Sequence, residues 1–449
     1  MHGVAFIPHR RNMMISQMGQ QSEQQAEHVI CNGVPWYDDN GDVVNAHGVC
    51  VVEGDGKYYL FGEYKTDDVN KFVGFSCYES DDLVHWHFDG LALEPQESGL
   101  MGPDRIGERP KVMKCPKTGK YVMFMHSDDL KYNDPHTAIA VSDTAAGPYT
   151  FVGALQYHGE PIRLWDIGSF QDEDGTGYLL THEGNIYRLS DDYMTAEELV
   201  AENFAEGGES PAMFRDGDTY YIMFSNKTSW GSNDNYYMTA PSPAGPWTRQ
   251  GLFAPEGSCT FDSQCSFIFM LHTADGRTTP IYMGDRWSFP HQVSCATQVW
   301  LPLHVTDGGE MRLPDEFWDS WDPFTVVRRL PTGTELPFAF RSNVEGASVE
   351  IPFSGTGIDL YSDVSPDNAY GKVTILDAAG GTMLDQTITF YGPAEVSHAL
   401  RFVSPKLPYG DYRLRVTVLN DPTEWFYKSG KRNGCSDVYV DVSGALMRE

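Results

Sequence analysis

The chain has 449 residues, with 63 acidic and 32 basic side chains and a formal net charge of −31. Phosphate binding needs clustered lysine and arginine, so this charge argues against a nucleic-acid partner and against docking on an anionic membrane. A neutral sugar ligand is compatible with it, and the length predicts two or three domains with ample core.

The sequence contains no run of apolar residues long enough to cross a membrane, so we expect no transmembrane helix. Its first residues include no apolar stretch of the length found in secretory signals, so we expect a cytoplasmic protein. The eight cysteines are scattered and form no Cys-x-x-Cys pair. This pattern predicts free buried thiols rather than a disulfide or zinc framework.

A strand pattern recurs five times after a polar, glutamine-rich stretch that we expect to form an N-terminal tail over residues 1–28. Each copy has turn residues, mostly Asp-Gly, followed by an aromatic and apolar strand. The copies align on tyrosines that are 43 to 62 residues apart, namely Tyr59, Tyr121, Tyr178, Tyr221 and Tyr282. Repeats of this length indicate an all-β fold, a five-bladed β-propeller over 29–320. A large β-sandwich with coincidental turns is the alternative.

The pattern changes in the last part of the chain, which we expect to form a second domain over 336–449. Four segments there alternate apolar and polar residues with period two, as half-buried antiparallel strands do. The pattern predicts a β-sandwich. Two roles are open for it, a carbohydrate-binding module or a packing partner that stiffens the propeller.

Polar residues occupy equivalent positions shortly before the aligned tyrosines. Glu108, Asp166 and Glu209 precede them by 12 or 13 residues, and Gln264 by 18. The first repeat has the segment 45–47, Asn-Ala-His, with no carboxylate. Because a propeller brings the ends of its inner strands together, we expect these groups to converge at one mouth of the axial channel. Converging carboxylates suit glycoside hydrolysis, which needs an acid with a raised pKa.

Four segments of the repeat region together resemble glycoside hydrolase family 43. The segments are Glu108-Arg109-Pro110-Lys111, Asp166-Ile167-Gly168, Glu209-Ser210-Pro211-Ala212 and Tyr282-Met283-Gly284-Asp285-Arg286-Trp287. That family inverts the anomeric carbon with an aspartate base, an aspartate that tunes the acid's pKa and a glutamate acid. The resemblance implies that Glu209 is the general acid and Asp166 the tuning carboxylate.

The family's base has no counterpart in this sequence, a departure shared with the exo-β-1,3-galactanase-like branch that the chain also resembles. That branch implies that Glu108 and Gln264 line the site and that Gln264 holds the attacking water. Proton removal stays open, with Glu108 as the nearest candidate partner. Four further positions resemble substrate contacts in that branch, namely Glu63, Asn185, Thr228 and Trp230.

The leading interpretation is therefore an inverting, exo-acting glycosidase that releases galactose from the non-reducing end of β-1,3-galactan or arabinogalactan-type glycans. A β-galactofuranosidase or an α-L-arabinofuranosidase is the first alternative, and a non-catalytic sugar-binding propeller is the second. No cofactor is expected. His47 could face the central channel, where some such families hold Ca²⁺, but a lone histidine is more often a core residue, so no metal is predicted.

Overall fold

The computed structural model describes residues 28–67, 69–273, 275–427 and 429–449. The predicted tail over 1–28 lies outside the described residues, apart from His28. Regular structure in the described residues is almost entirely β, with one four-residue helical turn at Cys259–Asp262. This composition confirms the all-β fold class. None of the described helical segments has the length and apolar character needed to cross a membrane. All eight cysteines are free thiols, and six of them are buried, whereas Cys31 and Cys259 are partly exposed.

Five sheets, named I to V here, follow one another along the chain. Sheet I consists of His47–Gly54, Lys57–Glu63, Phe75–Ser80 and His87–Leu93, and sheet II of Arg105–Lys114, Tyr121–Asp129, His136–Ser142 and Thr150–Ala154. Sheet III consists of Gly168–Gln171, Gly177–Thr181, Asn185–Leu189 and Ala196–Ala201, extended by Gln156–Tyr157 and Glu160–Pro161. Sheet IV consists of Gly208–Asp216, Thr219–Asn226, Tyr236–Ala240 and Thr248–Leu252, and sheet V of Gln264–His272, Thr278–Arg286 and Thr297–Pro302.

The five aligned tyrosines each lie on the second strand of a sheet, as the repeat pattern predicts. The turn chemistry explains the first hairpin. Asp55 and Gly56 connect its two strands with φ angles of 53° and 78°. Two successive positive φ angles match the type I′ turn, whose twist suits a two-residue hairpin.

The first strand of each sheet, called its inner strand here, contacts the inner strand of the next sheet, and that of sheet V contacts that of sheet I. A separate buried apolar cluster fills each of the five spaces between consecutive sheets. Representative pairs, in order from I–II to V–I, are Phe61 with Met123, Phe124 with Leu179, Leu180 with Ile222, Met223 with Leu301, and Trp300 with Val51. This order gathers the five inner strands around one axis.

The C-terminal part contains two further four-stranded sheets that share one core, which includes Phe353, Leu360, Phe390 and Phe402. One sheet consists of Thr334–Leu336, Gly444–Arg448, Gly357–Val364 and Val396–Val403, and the other of Ser348–Gly355, Gly410–Asp421, Tyr370–Asp377 and Thr382–Thr389. The four strands predicted from the period-two alternation lie within these elements.

Short strands complete the described structure. They are Ile30–Cys31 with Ser320–Asp322 and Val327–Arg328, His304–Val305 with Met311–Arg312, Phe340–Ser342 with Val440–Val442, and Glu424–Phe426 with Arg432–Gly434. The first group ties the beginning of the described chain to the segment that follows sheet V.

Candidate active site

The predicted site residues start from the same place on the inner strands, immediately before an irregularity in strand pairing. The register shifts after His47 in sheet I, Glu108 in sheet II and Glu209 in sheet IV. The next residue has a positive φ in each case, 61° at Gly48, 52° at Arg109 and 58° at Ser210. A bulge of this kind turns a side chain away from the regular strand direction. The bulges therefore explain how three strands can direct polar groups toward one end of the axis.

Asp166 and Gln264 enter the site from different local structures. Asp166 precedes the inner strand of sheet III by two residues and itself has a φ of 47°. Gln264 is the first residue of the inner strand of sheet V, and its register shift follows Cys265. The sequence positions thus predicted the common location, although the backbone reaches it in three ways.

The Glu209 side chain is half-buried, and its carboxyl accepts one hydrogen bond from the described residues. The Nε2 group of Gln264 donates to its Oε1 at 3.1 Å. Burial raises the pKa of Glu209, the negative charge of Asp166 raises it further, and Arg109 and Lys227 oppose them, which leaves a pKa of about 8. Glu209 therefore keeps its proton near neutral pH, which a general acid requires.

Gln264 uses all four hydrogen-bonding positions of its amide within the protein. Its Oε1 accepts from Arg109 Nη2 at 2.5 Å and from Trp287 Nε1 at 2.8 Å. Its Nε2 donates to Glu209 Oε1 and to Ser225 Oγ, the latter at 2.7 Å. Because the arginine and indole groups are donors only, they fix which end of the amide is oxygen. The oxygen of Gln264 thus has no lone pair left for a proton in this arrangement.

Arg109 connects Asp166, Gln264 and Glu63 by hydrogen bonds. Its Nε donates to Asp166 Oδ1 at 3.0 Å, and its backbone N–H donates to Glu63 Oε1 at 2.9 Å. The guanidinium also lies over the ring of Trp287, 5.6 Å from the centroid. Burial lowers the pKa of Arg109, but the charges of Asp166, Glu63 and other carboxylates more than offset it. Arg109 is therefore a buried cation that holds both Asp166 and Gln264.

Glu108 is held in its ionised form on the other side of Arg109. His126 Nδ1 lies 3.1 Å from its Oε2, and Tyr132 donates to its Oε1 at 2.6 Å. Burial raises the pKa of Glu108, but the hydrogen bond and charge of His126 outweigh it and hold the pKa well below its usual value. Burial lowers the pKa of His126, while Asp128 and Glu108 raise it to about 9. His126 is therefore a cation between two carboxylates.

A short left-handed turn leads into Gln264. Residues Cys259 to Asp262 have four consecutive φ angles between 51° and 56°. Such a conformation costs roughly 1–2 kcal/mol for each non-glycine residue, so other contacts must maintain it. Thr260 Oγ1 accepts from Asn235 N at 2.7 Å, and Arg286 Nη2 donates to Phe261 O at 3.0 Å. Strain of this kind, held in place by its surroundings, is typical of functional sites.

Aromatic side chains surround the polar centre. Trp230 stacks on Phe289 with ring centroids 5.2 Å apart and meets Trp287 edge to face at 6.1 Å. On another side, Trp165 stacks on His182 with centroids 3.5 Å apart. Both Trp230 and Trp165 are partly exposed. Partly exposed indoles beside converging polar groups are suited to packing against the apolar faces of a sugar ring.

The structure brings Glu209, Gln264, Asp166 and Glu108 together, and the buried Glu63 accepts from the backbone N–H of Arg109. The other residues predicted to contact substrate use their polar atoms locally. Asn185 Nδ2 donates to His182 O at 2.9 Å, and Thr228 Oγ1 donates to Gly231 O at 2.5 Å. Their roles as substrate contacts stay predictions.

Three residues of the site were not predicted from the sequence. Arg109 and Trp287 lie within the segments that resemble the family, and His126 ends the apolar stretch of the second strand of sheet II. A charged or polar residue that interrupts an apolar strand could have indicated His126 as a member of the site. His47, by contrast, is buried with both ring nitrogens unpartnered, and burial lowers its pKa to about 3.

Two groups of potential metal ligands occur in the described ranges, Glu108 with His126 and Asp166, and His28 with Asp82 and His85. In the first group each side chain already has an ionic partner. His126 bridges two carboxylates, and Asp166 pairs with Arg109. A metal would have to displace these protons and cations, so the first group is better described as a network of ion pairs.

A cavity of about 1080 Å³ lies at the opposite end of the inner strands. Its lining includes the last residues of those strands or their neighbours, such as Lys114, Gln171, Asp216 and His272. None of the predicted site residues lines it. The converging polar groups, rather than this cavity, therefore define the candidate active site.

Comparisons with known proteins identify relatives of the chain. Residues 44–251 match the model of glycosyl hydrolases family 43. A xylosidase/arabinosidase from Thermoclostridium stercorarium is 23% identical over 243 residues, 46% of this chain and 50% of the relative. The chain thus spans about half the length of the curated relative it matches.

Two solved structures are similar over larger shares of their length. A candidate exo-β-1,3-galactanase from Bifidobacterium bifidum is 38% identical with a TM-score of 0.59, covering 63% of this chain and 95% of that one. An exo-β-1,3-galactanase from Phanerochaete chrysosporium, crystallised with galactose, is 25% identical with a TM-score of 0.69, covering 93% of this chain and 99% of that one.

Proposed function

Because the chain belongs to glycoside hydrolase family 43, a family of glycosidases, we propose an inverting, exo-acting hydrolase. It releases galactose from the non-reducing end of β-1,3-galactan or arabinogalactan-type glycans. The observation that carries the proposal is the Glu209 carboxyl, which is hydrogen-bonded by Gln264 and whose pKa is raised to about 8 by burial and, secondly, by the charge of Asp166.

The proposed architecture follows from the cyclic packing of sheets I to V. We assign residues 29–320 to a five-bladed β-propeller, with each sheet as one blade, and 336–449 to a β-sandwich. Five separate apolar clusters between consecutive sheets, the fifth joining sheet V to sheet I, support five blades. Two sheets sharing one core support the sandwich.

In the proposed reaction, Glu209 transfers its proton to the glycosidic oxygen while the bond from that oxygen to the anomeric carbon breaks. Water attacks the anomeric carbon from the opposite face and loses a proton. Gln264 donates to Glu209 Oε1, which leaves Oε2 to carry the proton that is transferred. Asp166 maintains the pKa of the acid from a position fixed by Arg109.

Gln264 also holds the attacking water in this proposal, in a way that its hydrogen bonds define. Its oxygen is occupied, but the Nε2–H that binds Ser225 can donate to a water when the Ser225 side chain changes its χ1 rotamer and moves Oγ away. Gln264 then positions the water without accepting its proton. Glu108 is the nearest candidate acceptor of that proton, because His126 and Tyr132 hold its carboxyl in the ionised form.

The galactose-bound Phanerochaete enzyme supports galactose as the sugar, since it covers 93% of this chain. The name of the Thermoclostridium relative supports an α-L-arabinofuranosidase as the second candidate, although that likeness is more distant. A panel of aryl glycosides and β-1,3-galacto-oligosaccharides separates the two. Release of single galactose units from the oligosaccharides is expected, and release of arabinose alone would contradict the proposal.

The stereochemistry is tested by NMR of the first sugar formed from β-1,3-galactobiose. An inverting enzyme first releases α-galactose, which then equilibrates with the β form. A retaining enzyme would first release β-galactose, and that result would overturn the proposed placement of a water opposite Glu209.

A further inference from the structure

The connection between the last two strands of sheet V, residues 287–296, joins the active site to the C-terminal domain. We call it the Trp287 loop. Its first residue donates the indole N–H to Gln264 Oε1 at 2.8 Å. The following residues lie against the C-terminal sheets. The loop therefore connects the amide that orients Glu209 to the second domain through hydrogen bonds.

Tyr370 is the main C-terminal contact of this loop. It begins a strand of the C-terminal domain and is completely buried. Its hydroxyl donates to Phe289 O at 3.1 Å and lies 2.6 Å from Ser288 Oγ. With the tyrosine hydrogen directed at Phe289 O, Ser288 is the donor of the second bond. One hydroxyl thus fixes the two residues that directly follow Trp287.

Further contacts hold the rest of the loop from both sides. Toward the C-terminal domain, His291 Nε2 lies 2.6 Å from Asp421 Oδ2, and Ser294 Oγ donates to Thr387 O at 2.5 Å. Toward sheet I, Val293 N donates to Asp67 Oδ1 at 2.8 Å. The loop has no regular pairing of its own, so these contacts set its conformation.

The same domain also supports the second indole of the site. A Cβ built on Gly231 would lie 3.0 Å from the ring of Trp425, so the backbone beside Trp230 packs directly on a C-terminal side chain. Trp230 in turn meets Trp287 and Phe289. Two separate contacts of the C-terminal domain therefore converge on one aromatic wall.

We propose that the C-terminal domain is a structural part of the active site and that Tyr370 is a positioning residue, acting through the Trp287 loop on Gln264. Loss of the Tyr370 hydroxyl releases Ser288 and Phe289, and Trp287 then no longer holds its hydrogen bond to the amide oxygen in a single orientation. Gln264 orients the acid less well, so proton transfer to poor leaving groups is slowed. The effect on turnover rests on the proposed function, whereas the effect on Trp287 does not.

The test uses the full chain with 5-fluorotryptophan at its ten tryptophans. The ¹⁹F signal of Trp287 is assigned by Trp287→Phe. In Tyr370→Phe, which keeps the buried ring, that signal should shift or broaden, and Ser288→Ala should have a smaller effect in the same direction. Tyr412→Phe is the matched control, because among the described residues its hydroxyl donates to Pro408 O, which belongs to the C-terminal domain itself.

Kinetics give the second readout. For Tyr370→Phe we expect kcat on β-1,3-galactobiose to fall between about tenfold and a hundredfold, with a smaller loss on aryl galactosides that have good leaving groups. Tyr412→Phe should change neither. An unchanged Trp287 signal in Tyr370→Phe would overturn the positioning role. If the signal shifts but the wild-type chain cleaves no galactoside, the positioning role stands and the proposed function fails.

Discussion

At the scale of single residues, the site separates two carboxyl groups by their surroundings. Burial and the negative charge of Asp166 favour the protonated form of Glu209 and outweigh the hydrogen bond donated by Gln264. Glu108 faces a histidine cation and a tyrosine hydroxyl, so its ionised form is favoured. Opposite shifts on neighbouring carboxyls are how one site provides both an acid and an anion at the same pH.

Glu209→Gln is expected to reduce kcat by a factor of roughly 10²–10⁴ on substrates with poor leaving groups. Wild-type activity should fall as the pH rises through about 8, because the acid loses its proton there. The variant should lack this alkaline limb. Measuring kcat/KM against pH with an aryl galactoside and with galactobiose tests both points. Equal losses on all leaving groups would contradict the assignment of Glu209 as the acid.

Gln264→Ala separates the water-positioning role of this residue from simple sugar binding. If Gln264 positions the water and the acid, kcat should fall by roughly 10²-fold while KM stays nearly constant. A glutamine that only binds a sugar hydroxyl would instead raise KM. Azide should restore part of the lost turnover by replacing the misplaced water. A variant with near-normal kcat would refute the role and leave Glu108 or Asp166 to guide the water.

At the scale of elements, the recurring bulge is the device that directs the site residues. It requires a left-handed residue immediately after the polar one, and three different residue types fill that position. Gly48 is the most constrained, because a Cβ there would lie 2.4 Å from Glu63 Oε1 and 3.2 Å from Arg109 Cα. The glycine allows Glu63 to reach the backbone of Arg109.

Gly48→Ala should therefore destabilise the fold and weaken activity. Gly56→Ala is a close control, since Gly56, in the turn between the first two strands of sheet I, also has a positive φ but a Cβ added there would meet no atom within 4 Å. Each substitution should cost about 1–2 kcal/mol for the left-handed backbone. Gly48→Ala should cost more and lower kcat as well. Thermal melting and kinetics measure the two effects, and equal Tm values with full activity would argue against the role of this close approach.

The elements themselves were predictable, whereas their mutual contacts were not. Asp55 and Gly56 predict a hairpin, because the type of turn depends on residues that are neighbours in the sequence. The equivalence of Glu108 and Glu209 was visible because repeats preserve spacing. The hydrogen bond from Arg109 to Gln264 joins residues 155 positions apart. This bond depends on a bulge and on the packing of sheet II near sheet V. Local sequence patterns predict neither the bulge nor the packing.

At the scale of the whole molecule, hydrogen bonds from Tyr370 connect the C-terminal sheets to the loop that follows Trp287. Tyr370, which contacts the Trp287 loop, lies two residues before the segment whose alternation predicted a strand, and it begins the observed strand Tyr370–Asp377. Its partner residues lie about 80 positions earlier in the chain. The alternation identifies buried faces, but not which loop of another domain they cover.

The net charge of −31 leads to a prediction about substrate choice. A galactan that carries carboxylate groups is repelled by such a surface, whereas a neutral galactan is not. Added salt shortens the screening length to about 10 Å at 0.1 M and weakens this repulsion. The KM for an acidic galactan should therefore fall about two- to tenfold between low salt and 0.2 M NaCl. The KM for the same galactan after reduction of its carboxylates to alcohols should stay constant. A KM for the acidic form that rises with salt would mean that local cations such as Lys227 attract the substrate and outweigh the overall field.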